Sequence, residues 1–218
     1  MLRISTTTVE AFRRFRTTDY LPEEKLIRQI KGEEPPSEYM TLGTAFHDIM
    51  ENPHDRLDHD KQLFVSNGIS FEFEGINKVY DLIDYSFPFE HKTEKIYFPD
   101  GKEISIVAKV DQLKAMYVGE LKSCWSTFDY EGYAGSCQWK FYSDIFEALR
   151  VDYIVAVLKN ERPVRLSELH TFSMYPYTGM QAELIEVLSD MAAWIEFRGL
   201  EKYFKPKEKK YEKISVDH

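Results

Sequence analysis

The sequence predicts an α/β protein: a central mixed β-sheet flanked by helices and entered through an N-terminal helical layer. Three observations carry that expectation. Apolar residues recur at helical spacing in capped segments, beginning with Val9, Phe12 and Phe15. From about Phe89 to Lys122 the pattern changes to strand-length runs divided by turn residues. A nearly continuous apolar run, Val151 to Leu158, then follows a helical segment, as suits a strand buried on both faces.

In chain order, Ser5 and the threonines after it cap an amphipathic helix that runs to about Tyr20. Arg13, Arg14 and Arg16 lie on its polar side, which fits either a solvated face or a phosphate-contacting patch. Pro22 opens a short helix over Glu23 to Lys31, and Gly32 ends it. A further helix runs from Ser37 to a stop at Asn52-Pro53. Residues 54–62 are charged and aperiodic, and are expected to form a loop. Phe64 to Phe73 reads as a hairpin around Asn67-Gly68, with a helix near Ile76–Tyr85. In the β-rich middle, one strand leads from about Phe89 into the Pro99-Asp100-Gly101 turn. A second runs from Lys102 to Asp111 and a third from Tyr117 to Lys122. In the second, Ile104, Ile106, Ala108 and Val110 share one face and Asp111 falls on the other. Ser136 to Arg150 reads as a helix, Val151–Leu158 and Arg165–Tyr175 as strands, and Thr178–Arg198 as a long amphipathic helix.

A chain of 218 residues, 43% hydrophobic, can bury one sizeable core. One domain is expected over 1–218: an N-terminal helical part over 1–62, an α/β core over 63–200 and a lysine-rich, loosely ordered tail over 201–218. The net charge of −9 argues against a broadly basic nucleic-acid binder. It leaves room for an enzyme that holds nucleic acid through metal ions and local basic patches. Two cysteines, Cys124 and Cys137, are too few for a zinc or iron–sulfur ligand set, and a reducing cytoplasm is the expected location. No apolar run approaches the length of a transmembrane helix, so no membrane partner is expected.

The chemistry concentrates between Asp111 and Lys122. If the chain reverses at Ala115-Met116, Asp111 lies opposite Glu120, with Lys122 on the same side of its strand as Glu120. Opposed carboxylates about 5 Å apart repel one another and call for a cation. Acidic-x-Lys triplets also occur elsewhere, as in Glu90-His91-Lys92 and Asp100-Gly101-Lys102. Only Glu120-Leu121-Lys122 ends a strand behind another strand that carries its own aspartate. Carboxylate oxygens suit Mg²⁺ or Mn²⁺, which would activate a water and offset charge on a phosphorane-like transition state. The other reading of these three residues is an exposed cross-strand cluster. Gly43, His47 and Glu51 fall on one helical face, as do Gln138 and Tyr142. Either set can be ordinary helix surface or part of a site.

Together and in this order, Gly43-x-x-x-His47, Asp111, Glu120-Leu121-Lys122 and Gln138-x-x-x-Tyr142 resemble the PD-(D/E)xK nuclease superfamily, in its RecB-like exonuclease branch. The likeness spans roughly residues 5–142 and includes CRISPR-associated RecB-type nucleases. It implies a restriction-endonuclease-like core and a metal-dependent DNA exonuclease. His47, Asp111 and Glu120 would be metal ligands, with the Leu121 carbonyl a further one. Asp111, Glu120 and Lys122 would be catalytic, and Gln138 and Tyr142 would support the site or touch DNA. Glu51 is a further candidate, and Arg13 and Arg14 are candidate phosphate contacts. Phe15-Arg16 stands where iron–sulfur members carry a cysteine, so no such cluster is expected. The implied partners are single- or double-stranded DNA and a separate helicase or recombination protein, since no motor motif is present. A catalytically weak DNA-binding or assembly module, or a metal phosphoesterase acting on RNA, are the alternatives.

Overall fold

The computed structural model describes residues 1–18, 21–125 and 127–205. The chain opens with a strand, β1 (Leu2–Ser5), then α1 (Thr6–Thr17), α2 (Glu23–Lys31), α3 (Glu38–Glu51) and a single turn, α4 (Pro53–Arg56). A small three-stranded sheet follows: β2 (Leu57–Asp58), β3 (Leu63–Ser66) and β4 (Ile69–Glu72). Next come α5 (Phe73–Tyr80), β5 (Phe89–Tyr97), β6 (Ile104–Lys114), β7 (Tyr117–Cys124), α6 (Tyr130–Ala134) and α7 (Cys137–Ile145). The chain closes with β8 (Arg150–Lys159), β9 (Arg165–Met174), α8 (Met180–Arg198) and a 3-10 turn at Glu201–Phe204.

The main sheet has six strands, and β6 is its hub. β5 pairs with one edge of β6 from Ile104 to Gln112. The other edge is shared. β1 runs parallel to it from Ile104 to Val107, and β7 runs antiparallel to it only from Gln112 to Lys114. Between Val107 and Gln112 that edge has no strand partner, and Asp111 lies in the gap. Beyond Gly119, β7 leaves β6 and stays in parallel register with β8 through Cys124, and β9 completes the edge antiparallel to β8. The sheet is forked at the point where the sequence concentrates its carboxylates.

Helices cover both faces. Val9 and Phe12 of α1, Phe141 of α7, and Leu184, Leu188 and Met191 of α8 pack on Ile4, Ile104 and Ile106. On another side, Leu42, Ala45, Phe46 and Ile49 of α3 pack with Phe64, Phe71, Leu121 and Ala156. Trp139 and Tyr142 of α7 join Ala108, Val110 and Tyr153 in a third cluster. Full burial of side chains such as Phe12 and Phe46 contributes about 2 kcal/mol each.

Most predicted elements form where expected. Ser5, Ser37 and Ser136 each cap a helix with their side-chain oxygens, and Gly32 closes α2 in the left-handed conformation. Asn67 and Gly68 both take positive φ, 50° and 75°, as a two-residue hairpin turn of this kind requires. Five expectations are corrected. The N-terminal part, 1–62, is not purely helical, because β1 belongs to the main sheet and β2 to the small one. Residues 54–62 are not all loop: α4 covers Pro53–Arg56, and Leu57 pairs with Phe64. The helix placed near Ile76–Tyr85 is α5, Phe73–Tyr80. The helix of Ser136–Arg150 ends at Ile145, and Arg150 already belongs to β8. The tail does not begin loose, since Phe204 is buried in the α8 core; its lysines beyond Lys205 lie outside the described residues. No helix among the described residues is long and apolar enough to cross a membrane.

Candidate active site

Six elements meet at the fork of the sheet and enclose a cleft of about 410 Å³. β6 brings Lys109 and Asp111, β7 brings Glu120 and Lys122, α3 brings Thr44, His47, Asp48 and Glu51, and α7 brings Gln138 and Tyr142. Thr7, from the first turn of α1, and Glu90, from β5, complete the wall. Ser5 ends β1 and caps α1 by accepting a hydrogen bond from the Thr8 N–H, so the helix starts where β1 stops pairing. The fork of the sheet and the opening of the cleft have one cause.

Asp111 occupies the space that a strand ladder would fill. Its Oδ2 accepts a hydrogen bond from the Leu121 backbone N–H at 2.7 Å, and its Oδ1 lies 3.5 Å from His47 Nδ1. Burial pushes the Asp111 carboxyl up, but His47, Lys122 and the Leu121 N–H together hold it below the usual aspartate value. Glu120 is 3% exposed and lies 2.6 Å from Lys122 Nζ through Oε2. Its other oxygen, Oε1, is buried with no hydrogen-bond partner. Burial, reinforced by Asp111, pushes the Glu120 carboxyl up to about 7 despite the adjacent lysine. Burial alone would depress Lys122, but Glu120 and Asp111 outweigh it and hold the ammonium above its ordinary value. At the cleft's outer wall, burial and the nearby Glu90 raise Glu51 as well. Tyr142 is buried and hydrogen-bonded to Thr6, and Gln138 Nε2 reaches Thr7 Oγ1 at 3.4 Å.

The candidates fare differently. His47, Glu51, Asp111, Glu120, Lys122, Gln138 and Tyr142 share the one cleft. The Leu121 side chain packs in the α3 core, and the residue borders a second cavity of about 350 Å³ that Asp111 and Glu120 also border. Arg13 and Arg14 are outside the cleft. Both grip Glu10, Arg13 at 2.8 and 3.0 Å and Arg14 at 3.0 Å, and only Arg14 borders the neighbouring groove. Gly43 lets α3 approach β7, where a Cβ would meet Ser123 Oγ at 3.4 Å. Sequence reasoning missed Thr7, Thr44, Asp48, Glu90 and Lys109. Thr44 and Asp48 could have been found from helical periodicity, since each follows a stripe residue, Gly43 or His47. Thr7, Glu90 and Lys109 enter through tertiary contacts with no local signal.

The donors suit a divalent cation: an imidazole and two carboxylates, one of which keeps a buried oxygen without a partner. Among the described residues no three His, Cys, Asp or Glu side chains stand in ligating geometry. Asp111, Glu120 and His47 are the residues of the cleft that would hold such a cation.

No protein-family model matches the chain, and no curated protein matches it. Solved structures do. SSO0001 superposes with a TM-score of 0.54 at 12% identity, over 89% of this chain and 77% of its own. A protein of Eubacterium rectale, named as a putative exonuclease, superposes with a TM-score of 0.52 at 14% identity, over 88% of this chain and 79% of its own. At such identities the likeness is one of fold. The mixed sheet flanked by helices is a restriction-endonuclease-like core, and this chain shares its fold with SSO0001 and the Eubacterium rectale protein.

Proposed function

We propose that the chain is a metal-dependent nuclease that hydrolyses phosphodiester bonds in DNA, as an exonuclease. The observation that carries this reading is the convergence of Asp111, Glu120, Lys122 and His47 in one cleft, with Glu120 Oε1 buried and partnerless. The fold shared with a protein named as a putative exonuclease supports it. Asp111, Glu120 and His47 would hold Mg²⁺ or Mn²⁺. The bound cation would lower the pKa of a water and offset charge building on the phosphate. The protein's own groups do the rest. Lys122, protonated beside Glu120, donates hydrogen bonds to the attacking water or to a phosphoryl oxygen. Gln138 and Thr7 offer amide and hydroxyl donors along the same wall. The water oxygen forms the new P–O bond as the ester P–O bond breaks, and the leaving alkoxide takes up a proton.

A weakly catalytic DNA-binding or assembly module is the second reading. The closed Glu120–Lys122 ion pair and the unassembled ligand set favour it. One experiment separates the two. End-labelled single-stranded DNA, duplex DNA and RNA are digested with Mg²⁺ or Mn²⁺ and resolved over time, for wild type, Asp111→Asn and Lys122→Ala. Shortening of DNA that falls about 100-fold or more in each variant supports the nuclease. Equal rates in wild type and variants sink it, and binding without turnover favours the module.

A further inference from the structure

We infer that Tyr39 and Trp125 form a stacking platform for an unpaired base at the rim of the cleft; this rests on the nucleic-acid reading above. Tyr39, Gly43, His47 and Glu51 follow one another at four-residue intervals on α3, so the stripe that enters the cleft at His47 begins at Tyr39. The tyrosine lies about 12 Å along the helix from His47. Trp125 comes three residues after Lys122, where β7 has just ended. The two rings meet with centroids 6.0 Å apart at 34°, and α3 passes close to β7 where Gly43 faces Ser123. One part of Trp125 packs on the α3 core, while Tyr39 is 56% exposed. Of the three tryptophans, Trp125 is half-buried, whereas Trp139 and Trp194 are buried. Trp139 donates to the Ala134 carbonyl and Trp194 to Glu23.

The surroundings commit the occupant. Met40, next to Tyr39 and 60% exposed, borders a groove of about 640 Å³ with Ser5, Thr8, Arg14 and Gln29. Thr7 and Gln138 line both this groove and the cleft, so the two are continuous. Hydroxyls, amides and Arg14 suit a sugar-phosphate backbone along the groove, and the rings of Tyr39, which precedes the groove residue Met40, and of Trp125 suit the faces of bases. In a duplex those faces are covered by their neighbours. A base that can lie on Tyr39 and Trp125 therefore belongs to an unpaired strand.

The test uses the full chain in chelator-containing buffer, so that nothing is cleaved, with a fifteen-nucleotide oligothymidylate and a blunt duplex as probes. Trp125 is the tryptophan that is only half-buried, so wild-type emission should be quenched by the single strand, and Trp125→Phe should lose that quenching. Trp125→Ala and Tyr39→Ala should weaken single-strand binding, read by anisotropy, about tenfold or more, the loss of one base–aromatic stack. Duplex binding should change less than about twofold. Circular dichroism and the Tm of each variant confirm folding. Unchanged single-strand affinity in both alanine variants, quenching that survives Trp125→Phe, or no wild-type binding overturns the platform. Cleavage fails independently: stacking without turnover at any divalent concentration would sink the nuclease and keep the platform.

Discussion

Glu120 is the residue on which the site's charge balance turns. It is buried beside Asp111, and that environment pushes its carboxyl up to about 7, against about 4.3 for an unperturbed glutamate. A carboxyl with a raised folded-state pKa stabilises the fold fully at pH below the unfolded value. That contribution is lost as pH rises through the folded value. In divalent-free buffer the Tm of Glu120→Gln relative to wild type should therefore rise between about pH 4.5 and 7. The full swing corresponds to about 1–3 kcal/mol. Thermal unfolding at several pH values checks this, and a Tm difference that stays flat across the interval would show that Glu120 is not raised. Mn²⁺ at pH 8 should raise the Tm of wild type and leave Glu120→Gln nearly unmoved, because a ligand that binds only the folded state stabilises it.

At the scale of elements, the contact between α1 and α7 fixes one wall of the cleft. Glu10 on α1 accepts from Arg13, Arg14 and the Cys137 N–H, the last at 2.9 Å, at the first residue of α7. Burial opposes its charge, but Arg13, Ser136 and Arg14 outweigh that and hold its carboxyl below the usual range. The helix so held carries Gln138 and Tyr142 to the cleft. Removing the carboxylate leaves the Cys137 N–H without its acceptor and Arg13 with only Thr17 as a side-chain partner. Glu10→Ala should cost about 2–4 kcal/mol in urea unfolding at pH 7. Glu10→Gln, which keeps an acceptor, should cost less. A loss under about 0.5 kcal/mol for the alanine variant would show that the tie is dispensable.

For the whole molecule, a net charge of −9 means that nucleic acid meets net repulsion, which cations in the groove and cleft must offset locally. The cations placed there are few: Arg14 at the groove, and Lys122 and Lys109 at the cleft, with Lys109 paired to Glu90. Two or three phosphate contacts imply a plot of log affinity against log salt for single-stranded DNA with a slope of about −2. Anisotropy titrations between low and physiological salt measure it. A slope of −5 or steeper would mean a broad basic surface that the described residues do not carry.

Much of this was legible in the sequence because the signals are local. Serine caps, Gly32, the Asn67-Gly68 turn and the 3.6-residue apolar period report on neighbours within a few positions, and the helices and hairpin formed where those signals lay. The two-residue reversal at Ala115-Met116 was legible for the same reason and sets Gln112 opposite Gly119; Asp111, Glu120 and Lys122 lie just past that ladder, where the strands part. β1 was not, because four residues with two apolar side chains carry no pattern until a strand about a hundred positions away pairs with them. That pairing, stopping at Val107 while β7 begins at Gln112, opens the fork. Local periodicity determined the elements and the residues that carry chemistry. Only the tertiary structure decided that Thr7, Glu90 and Lys109 share their cleft, that Arg13 and Arg14 serve Glu10, and that Glu120 keeps one oxygen without a partner. Those outcomes depend on which distant backbones and side chains desolvate one another, and no spacing along the chain encodes that.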